Sequence, residues 1–591
     1  MKTSTAGMCV CLAVWLSAAG CGYLSNDPFF EGYGEIEGRL LAGGDPVPDA
    51  LVFVQGDAGR AVRTGPTGLF GLNTVEAGQG RRLVAMWGAS LGLQKGFDLA
   101  GEGRIQAGDL TLEPLGTLEG TVRLPDPSEA EVAVIGTPFV GKPDGLGRFQ
   151  ILVPAGRWEL EVRAGGHLTQ RLEEVEVAAG ESRTVGEVAP RQDPGYTCTG
   201  TELRVERATQ GGGGAIDILF VVDNSNSMVG EQLALATSFA HFVEVLDDGG
   251  MDYHVAVITT GMESAGCPRC TDLITVNCMN ETGENGRFQD RLGENVGTLE
   301  QPDFVFETDR SCRVVERDNL SCFYDGSEGT GTALVGVNGC GYERGLAGMR
   351  TALGDLATSY NQGFLRDYAR LAVILVSDEE DCGEVGDVSE GLVGVGGDIC
   401  YYAARGAGPE GETVHPDDPH GRAYALTPVS DYAEFLWSLK PVPSLATFSA
   451  IVGVTDPSRP EDTRITYSLD GDRWAVDEAC TTPGCTGNFC FAKPGTRYIE
   501  MARMTGGVVE SICQQDFSAP MVRVAGTATG YRRIFSLLRE PIDPGAIEVR
   551  VEGEAASGWR YLEAQRAIQF EESATPRPYA LVEIRYEVAC R

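Results

Sequence analysis

Histidine is scarce in this chain: five in 591 residues, and only His415 and His420 lie near one another. Their insertion has no helical pattern that would set both on one face, so a His-Glu-x-x-His type of metalloprotease site is absent. No nucleophile elbow on a strand-to-helix turn and no phosphate-binding loop is recognised. Basic residues are few. Lys and Arg total 47 against 85 Asp and Glu, a formal net charge of −38. No basic stripe is left to neutralise phosphates, which excludes nucleic-acid binding. Beyond the amino terminus no run of 18 apolar residues occurs, so the mature chain carries no transmembrane helix. Apolar residues still make up 42% of the chain. Buried cores are therefore expected, in three or four domains.

The amino terminus reads as an export signal over residues 1–20, with Lys2 ahead of an apolar core from Met8 to Leu16. The following Ser17-Ala18-Ala19-Gly20-Cys21 resembles a bacterial lipobox, which implies cleavage before Cys21 and lipidation on it. An ordinary signal peptide is the alternative. Acyl chains anchor a protein through roughly 0.8 kcal/mol per buried CH₂. The expected location is the bacterial cell envelope, lipid-anchored. Gly22 is not acidic, which by analogy favours the outer membrane and leaves the periplasmic or surface side open.

Cysteine usage agrees with export. Of 17 cysteines, Cys9, Cys11 and Cys21 belong to the leader region, leaving 14. An even number in an exported chain reads as disulfides. The candidates are Cys198, Cys267, Cys270, Cys278, Cys312, Cys322, Cys340, Cys382, Cys400, Cys480, Cys485, Cys490, Cys513 and Cys590. Connectivity is not readable, although Cys198 and Cys590 flank one domain and are expected to pair.

After a lipidated tether over 21–33, two similar β units are expected, at 34–115 and 116–190. Each opens on Gly-x-x-x-Gly, at Gly34–Gly38 and Gly116–Gly120, and each carries a mid-unit turn before an apolar strand. Trp158, Leu160 and Val162 alternate onto one face. Short strands with Gly and Pro turns imply two β-sandwiches. The segment from Gly38 to Leu72 resembles a carboxypeptidase regulatory-like domain, a small prealbumin-like sandwich that serves as a spacer. A Gly-rich flexible linker is expected over 191–214. Residues 215–530 alternate strands with helices, which implies an α/β doubly wound parallel sheet interrupted by cysteine-rich insertions. Residues 531–591 return to β alternation, as a carboxyl-terminal β appendage. The chain as a whole is multidomain.

The most informative stretch is Ile216 to Ser227. An apolar run ends in Asp223-Asn224-Ser225-Asn226-Ser227. It reads as a buried strand whose carboxyl end carries a ligand loop. One carboxylate and two hydroxyls at alternate positions form a hard-oxygen set, suited to Mg²⁺ or Ca²⁺. The spacing Asp-x-Ser-x-Ser resembles the metal-ion-dependent adhesion site (MIDAS) of von Willebrand factor A (VWA) domains. That resemblance implies a Rossmann-like sheet and metal ligands Asp223, Ser225, Ser227 and Asp378. The last follows the apolar run Leu371 to Val376. It also implies a threonine from a second loop. Cys340 falls at the aligned position, while Thr330 and Thr332 lie in an imitation of the motif slightly upstream. The lipoprotein-like context around Cys340 and Cys382 implies a bridge between those two. Glu379 to Asp381 are expected to be solvated.

The expected function is therefore adhesion or envelope assembly. A protein ligand offers a carboxylate to Mg²⁺ (or Ca²⁺ or Mn²⁺), and no catalysis is involved. Two alternatives stand beside it: a metal-independent structural scaffold, and a hydrolase using the His415/His420 insertion.

Overall fold

A computed structural model describes residues 32–101, 103–197, 200–263, 284–295, 304–322, 334–337, 339, 342–383, 398–411, 426–440, 445–470, 473–484, 490–531, 533–563 and 566–590. The architecture is multidomain and mostly β, with several separate sheets and few helices.

The two amino-terminal units share one pairing scheme. In the first, strand Tyr33–Ala42 runs antiparallel to Leu69–Glu76 and parallel to Arg104–Thr111. In the second, Gly116–Val122 runs antiparallel to Arg148–Val153 and parallel to Ser182–Val188. The Gly-x-x-x-Gly openings have a shared cause. Gly38 pairs with Phe70 across the strands, and Gly120 with Phe149. A Cβ at Gly38 would stand 2.9 Å from the Phe70 ring, and one at Gly120 would stand 2.8 Å from Phe149. The missing side chain makes room for the ring. Trp158, Leu160 and Val162 are all buried in the core of the second unit, as their alternation predicts.

The α/β region contains a five-stranded sheet. Its strands are β1 (Gly214–Val222), β2 (Met251–Thr259), β3 (Arg370–Val376), β4 (Ala446–Val452) and β5 (Val509–Ser511), in spatial order β2-β1-β3-β4-β5. Every neighbouring pair is parallel. The helices between them are α1 (Val229–Asp248), α2 (Gly345–Leu353), α3 (Asp398–Arg405), α4 (Val429–Ser438) and α5 (Thr496–Thr505), and α6 (Ser518–Thr529) follows β5. One face packs on α1 and α6 through Phe220, Phe239, Phe242 and Val524. The other packs on α2, α4 and α5 through Leu219, Met349, Leu436 and Tyr498. Burial on both faces explains the unbroken apolar runs of β1 and β3.

The flexible linker expected over 191–214 is corrected. Strand Thr201–Thr209 pairs along its whole length with Leu581–Ala589. It thereby joins the carboxyl-terminal β region, whose two sheets share a core of Phe535, Val549, Ile568 and Ile584. Gly212, Gly213 and Gly214 are buried, with φ of +95°, +71° and +80°. Glycine is needed there for the left-handed backbone. A Cβ on Gly211 would lie 2.0 Å from the Gly530 carbonyl oxygen. Gly211→Ala is therefore expected to lower stability by about 1–3 kcal/mol. The midpoint of chemical denaturation checks this, and an unchanged midpoint would return the segment to linker status.

This tight passage also seats the β units. The Gly88 N–H donates a hydrogen bond to the Tyr579 phenol oxygen. The Trp87 and Tyr368 rings lie 6.0 Å apart. The second unit is clamped to strand Thr201–Thr209 by Lys142–Glu206 at 2.8 Å and Arg207–Glu131 at 3.3 Å. The first unit meets the parallel sheet at the start of β1, through Ala215. From Ala215 the strand runs on to Val222 at its carboxyl end, roughly 23 Å away.

Three disulfides join described cysteines: Cys312–Cys322, Cys382–Cys400 and Cys480–Cys513. The expected Cys340–Cys382 bridge is thus corrected, because Cys382 faces α3 and bonds Cys400. Cys490 and Cys590 are also disulfide-bonded. The backbone sets Cys590 against Gly200. Cys21, Cys198, Cys267, Cys270, Cys278, Cys340 and Cys485 lie outside the described residues. Among those residues no helix is long and apolar enough to cross a membrane.

Candidate metal centre

The site forms where β1 and β3 end side by side. Their pairing runs to Val222 opposite Val376, so the next residues of each chain share one rim. The Asp223 N–H donates to the Val376 carbonyl at 2.9 Å, which locks the two loops together. Asp223 is fully buried. One of its oxygens accepts the Ser225 N–H at 2.8 Å, and the other accepts the Ser377 hydroxyl at 2.6 Å. The Ser225 and Ser227 hydroxyls are 3.0 Å apart. Ser227 in turn donates to Asp378 at 3.2 Å. Four residues named from sequence, Asp223, Ser225, Ser227 and Asp378, therefore meet in one hydrogen-bonded chain. Thr330, Thr332, His415 and His420 lie outside the described residues.

Several contributors escaped the sequence. Ser377 was hidden inside the strand ending, although it directly precedes Asp378. Gln232 donates to the carbonyls of Asp223 and Gly336, each at 2.8 Å, and so ties the first loop to a second. Glu284 receives Asn224 at 2.6 Å and Thr259 at 3.0 Å. Its place across the sheet from Asn224 has no signal in local spacing.

The expected solvation of Glu379 to Asp381 is corrected for two of the three. Glu380 and Asp381 are buried. Glu380 accepts the first N–H groups of α5, Thr496 at 2.7 Å and Arg497 at 3.0 Å. Asp381 accepts Leu346 N–H of α2 at 3.2 Å and pairs with Arg497 at 3.0 Å. Helix amino termini offer free N–H groups and a favourable dipole, which draws these carboxylates inward.

The electrostatics are those of an overcrowded anion cluster. Burial, then the charges of Asp223 and Glu379, raises Asp378 well above the carboxylate range. Burial raises Asp223 as well. What works against the rise is hydrogen bonding, from Ser377 and Ser225 at Asp223 and from Ser227 at Asp378. Burial also pushes Glu231, Glu284 and Glu380 up to about 7. These three have folded values above their ordinary 4.5. Their stabilisation is full below that value and is lost as pH rises through about 7. Stability in a chelator is expected to fall between about pH 4.5 and 7, on the order of 3 kcal/mol for each group at most. Denaturation midpoints across that range check it, and Glu284→Gln should flatten the slope.

The donor set fits a hard divalent cation: carboxylate and hydroxyl oxygens with uncompensated negative charge. Among the described residues no three His, Cys, Asp or Glu groups converge on one point. The set that does meet is two carboxylates, Asp223 and Asp378, with the Ser225 and Ser227 hydroxyls.

A serine-hydrolase string does occur, at Gly88-Ala89-Ser90-Leu91-Gly92. It forms the turn between antiparallel strands Gly78–Trp87 and Leu91–Leu99. No helix follows it, and Ser90 is buried, so it lacks the geometry of a nucleophile elbow.

No family model and no curated protein matches this chain. Among solved structures, a cohesin–X-dockerin complex from Acetivibrio cellulolyticus is similar at 17% identity, over 13% of this chain and 58% of that one, with a TM-score of 0.12. The Bacillus anthracis TIE protein is similar at 16% identity, over 32% of this chain and 36% of that one, with a TM-score of 0.13. This chain spans less than two thirds of either.

Proposed function

We propose that residues 215–530 form a von Willebrand factor A domain that holds a divalent cation, and that the cation receives a protein ligand. Asp223, Ser225, Ser227 and Asp378 hold the ion. What supports this reading most is the chain Ser225–Ser227–Asp378, at 3.0 and 3.2 Å, joining two loops at one rim. The ion supplies an electrophilic centre for a ligand carboxylate. The protein's own residues orient it: Ser377 and the Ser225 N–H fix the Asp223 carboxylate, and Gln232 braces the first loop.

The wider reading is a lipoprotein anchored at Cys21 in the bacterial envelope, acting in adhesion or assembly. The β units meet the sheet at the start of β1, at the end opposite the rim, which suits a ligand face held away from a membrane. Thermal unfolding of the full-length protein tests the cation. An ion that binds only the folded state raises stability by about 2.7 kcal/mol at 100 times its Kd. The melting temperature is expected to rise with Mg²⁺ or Ca²⁺ over EDTA. In Ser225→Ala/Ser227→Ala it is expected not to move. No rise in the wild type would favour a metal-independent scaffold.

A further inference from the structure

The metal reading leaves one loop without a donor. The VWA pattern wants a threonine from the segment before α2, and residues 334–344 contain none. Glu343 stands in that segment, two residues ahead of α2. Its carbonyl accepts the Cys382 N–H at 2.6 Å, so its backbone is tied to the loop that follows Asp378. The residue is 1% exposed. Among the described residues its Oε1 has no hydrogen-bond partner. The groups that act on it are carboxylates: Glu379, which also shares a side-chain hydrogen bond with it, then Asp223 and Asp378. No basic group is among them.

A buried carboxyl with an unmet oxygen, set among other carboxyls, is costly. An unpartnered oxygen of this kind is what a cation would satisfy. Asp223 is a poor direct ligand by comparison, because both its oxygens already accept hydrogen bonds.

Resting on the proposed metal site, we infer that Glu343 is the missing loop donor. Its carboxylate, and not Thr330, Thr332 or Cys340, joins Ser225, Ser227 and Asp378 around a divalent ion. Asp223 acts from behind, through Ser377 and the first loop. Two direct carboxylates then balance the two charges of the ion. Glutamate can also chelate through both oxygens, which suits the larger oxygen shell of Ca²⁺ better than the strict octahedron of Mg²⁺.

The test is calorimetric titration of Ca²⁺ into the oxidised full-length protein. It compares the wild type with Glu343→Gln, Thr330→Val/Thr332→Val and Asp378→Asn. Glu343→Gln is expected to weaken binding by at least about tenfold, and the threonine pair to change nothing. Binding that is lost in Asp378→Asn but intact in Glu343→Gln would overturn the assignment and leave the cation site standing. No binding in the wild type would remove the site and this donor with it. Thermal unfolding guards against misfolding. In EDTA, Glu343→Gln is expected to melt no lower than the wild type, since a repulsive charge is gone, while its Ca²⁺-induced rise shrinks. A lower melting temperature with an unchanged Ca²⁺ rise would mark a structural role and overturn the inference.

Discussion

Asp217→Ala is expected to destabilise the protein by about 3–5 kcal/mol, the largest loss of any single substitution proposed for the parallel sheet. Asp217 lies in β1 with no exposure. It accepts the Arg366 backbone N–H and Nε, each at 2.8 Å. The Lys440 ammonium stands 3.4 Å away, with its side chain wholly buried. Removing the carboxylate leaves two cations facing each other inside the base of the sheet. Arg366 keeps Asp252 at 3.0 Å, while the Lys440 ammonium keeps the Arg366 carbonyl at 2.7 Å and the more distant charge of Asp367. Replacing one partner of a buried network costs far more than the net value of the network, because the remaining charges are stranded. Urea denaturation of wild type and variant measures the loss. A change below about 1 kcal/mol, the range of an exposed pair, would show that the base of the sheet is held elsewhere.

Asp378→Ala carries the largest expected functional effect. Asp378 accepts the Ser227 hydroxyl of the Ser225–Ser227 pair directly. Its own charge is disfavoured by burial and by Asp223 and Glu379. A divalent ion relieves that penalty, so the binding energy and the buried charge are two sides of one arrangement. Loss of an outer partner of a metal ligand costs roughly 10–100-fold in affinity. Loss of a direct carboxylate is expected to exceed that. The same substitution should leave the apo protein at least as stable as the wild type, since a repelled carboxyl is gone. Retained affinity in Asp378→Ala would place the ion elsewhere on the rim.

The parts of the site that were legible in the sequence are those where chemistry follows a strand end directly. Asp223, Ser225 and Ser227 follow β1, and Asp378 follows β3 by one serine. An apolar run that stops at an acid is a local signal. Ser377, Gln232, Glu284 and Glu343 are not of that kind. Each acts on a group far away in the chain, as Glu284 does on Asn224, and local periodicity says nothing about such meetings. The strands and helices around the site were equally readable, because two-sided burial writes itself as unbroken apolar runs.

Two misreadings have a common source, which is that composition does not fix packing. Four glycines at Gly211–Gly214 look the same in a floppy tether and in a turn where no side chain fits. Asp378-Glu379-Glu380-Asp381 looks like a solvated charge run, yet α2 and α5 begin beside it and take in Glu380 and Asp381. Disulfide partners were unreadable for a similar reason, since Cys382 is chosen by α3 across an insertion.

The central claim is that this rim holds a divalent cation. Titration of Mg²⁺, then Ca²⁺ and Mn²⁺, into the oxidised full-length protein and into Asp223→Ala, followed by calorimetry, tests it most directly. The account predicts saturable binding in the wild type and none in the variant, whose first loop has lost both the Ser225 and Ser377 anchors. Absence of heat in both proteins, or equal binding in both, would contradict it.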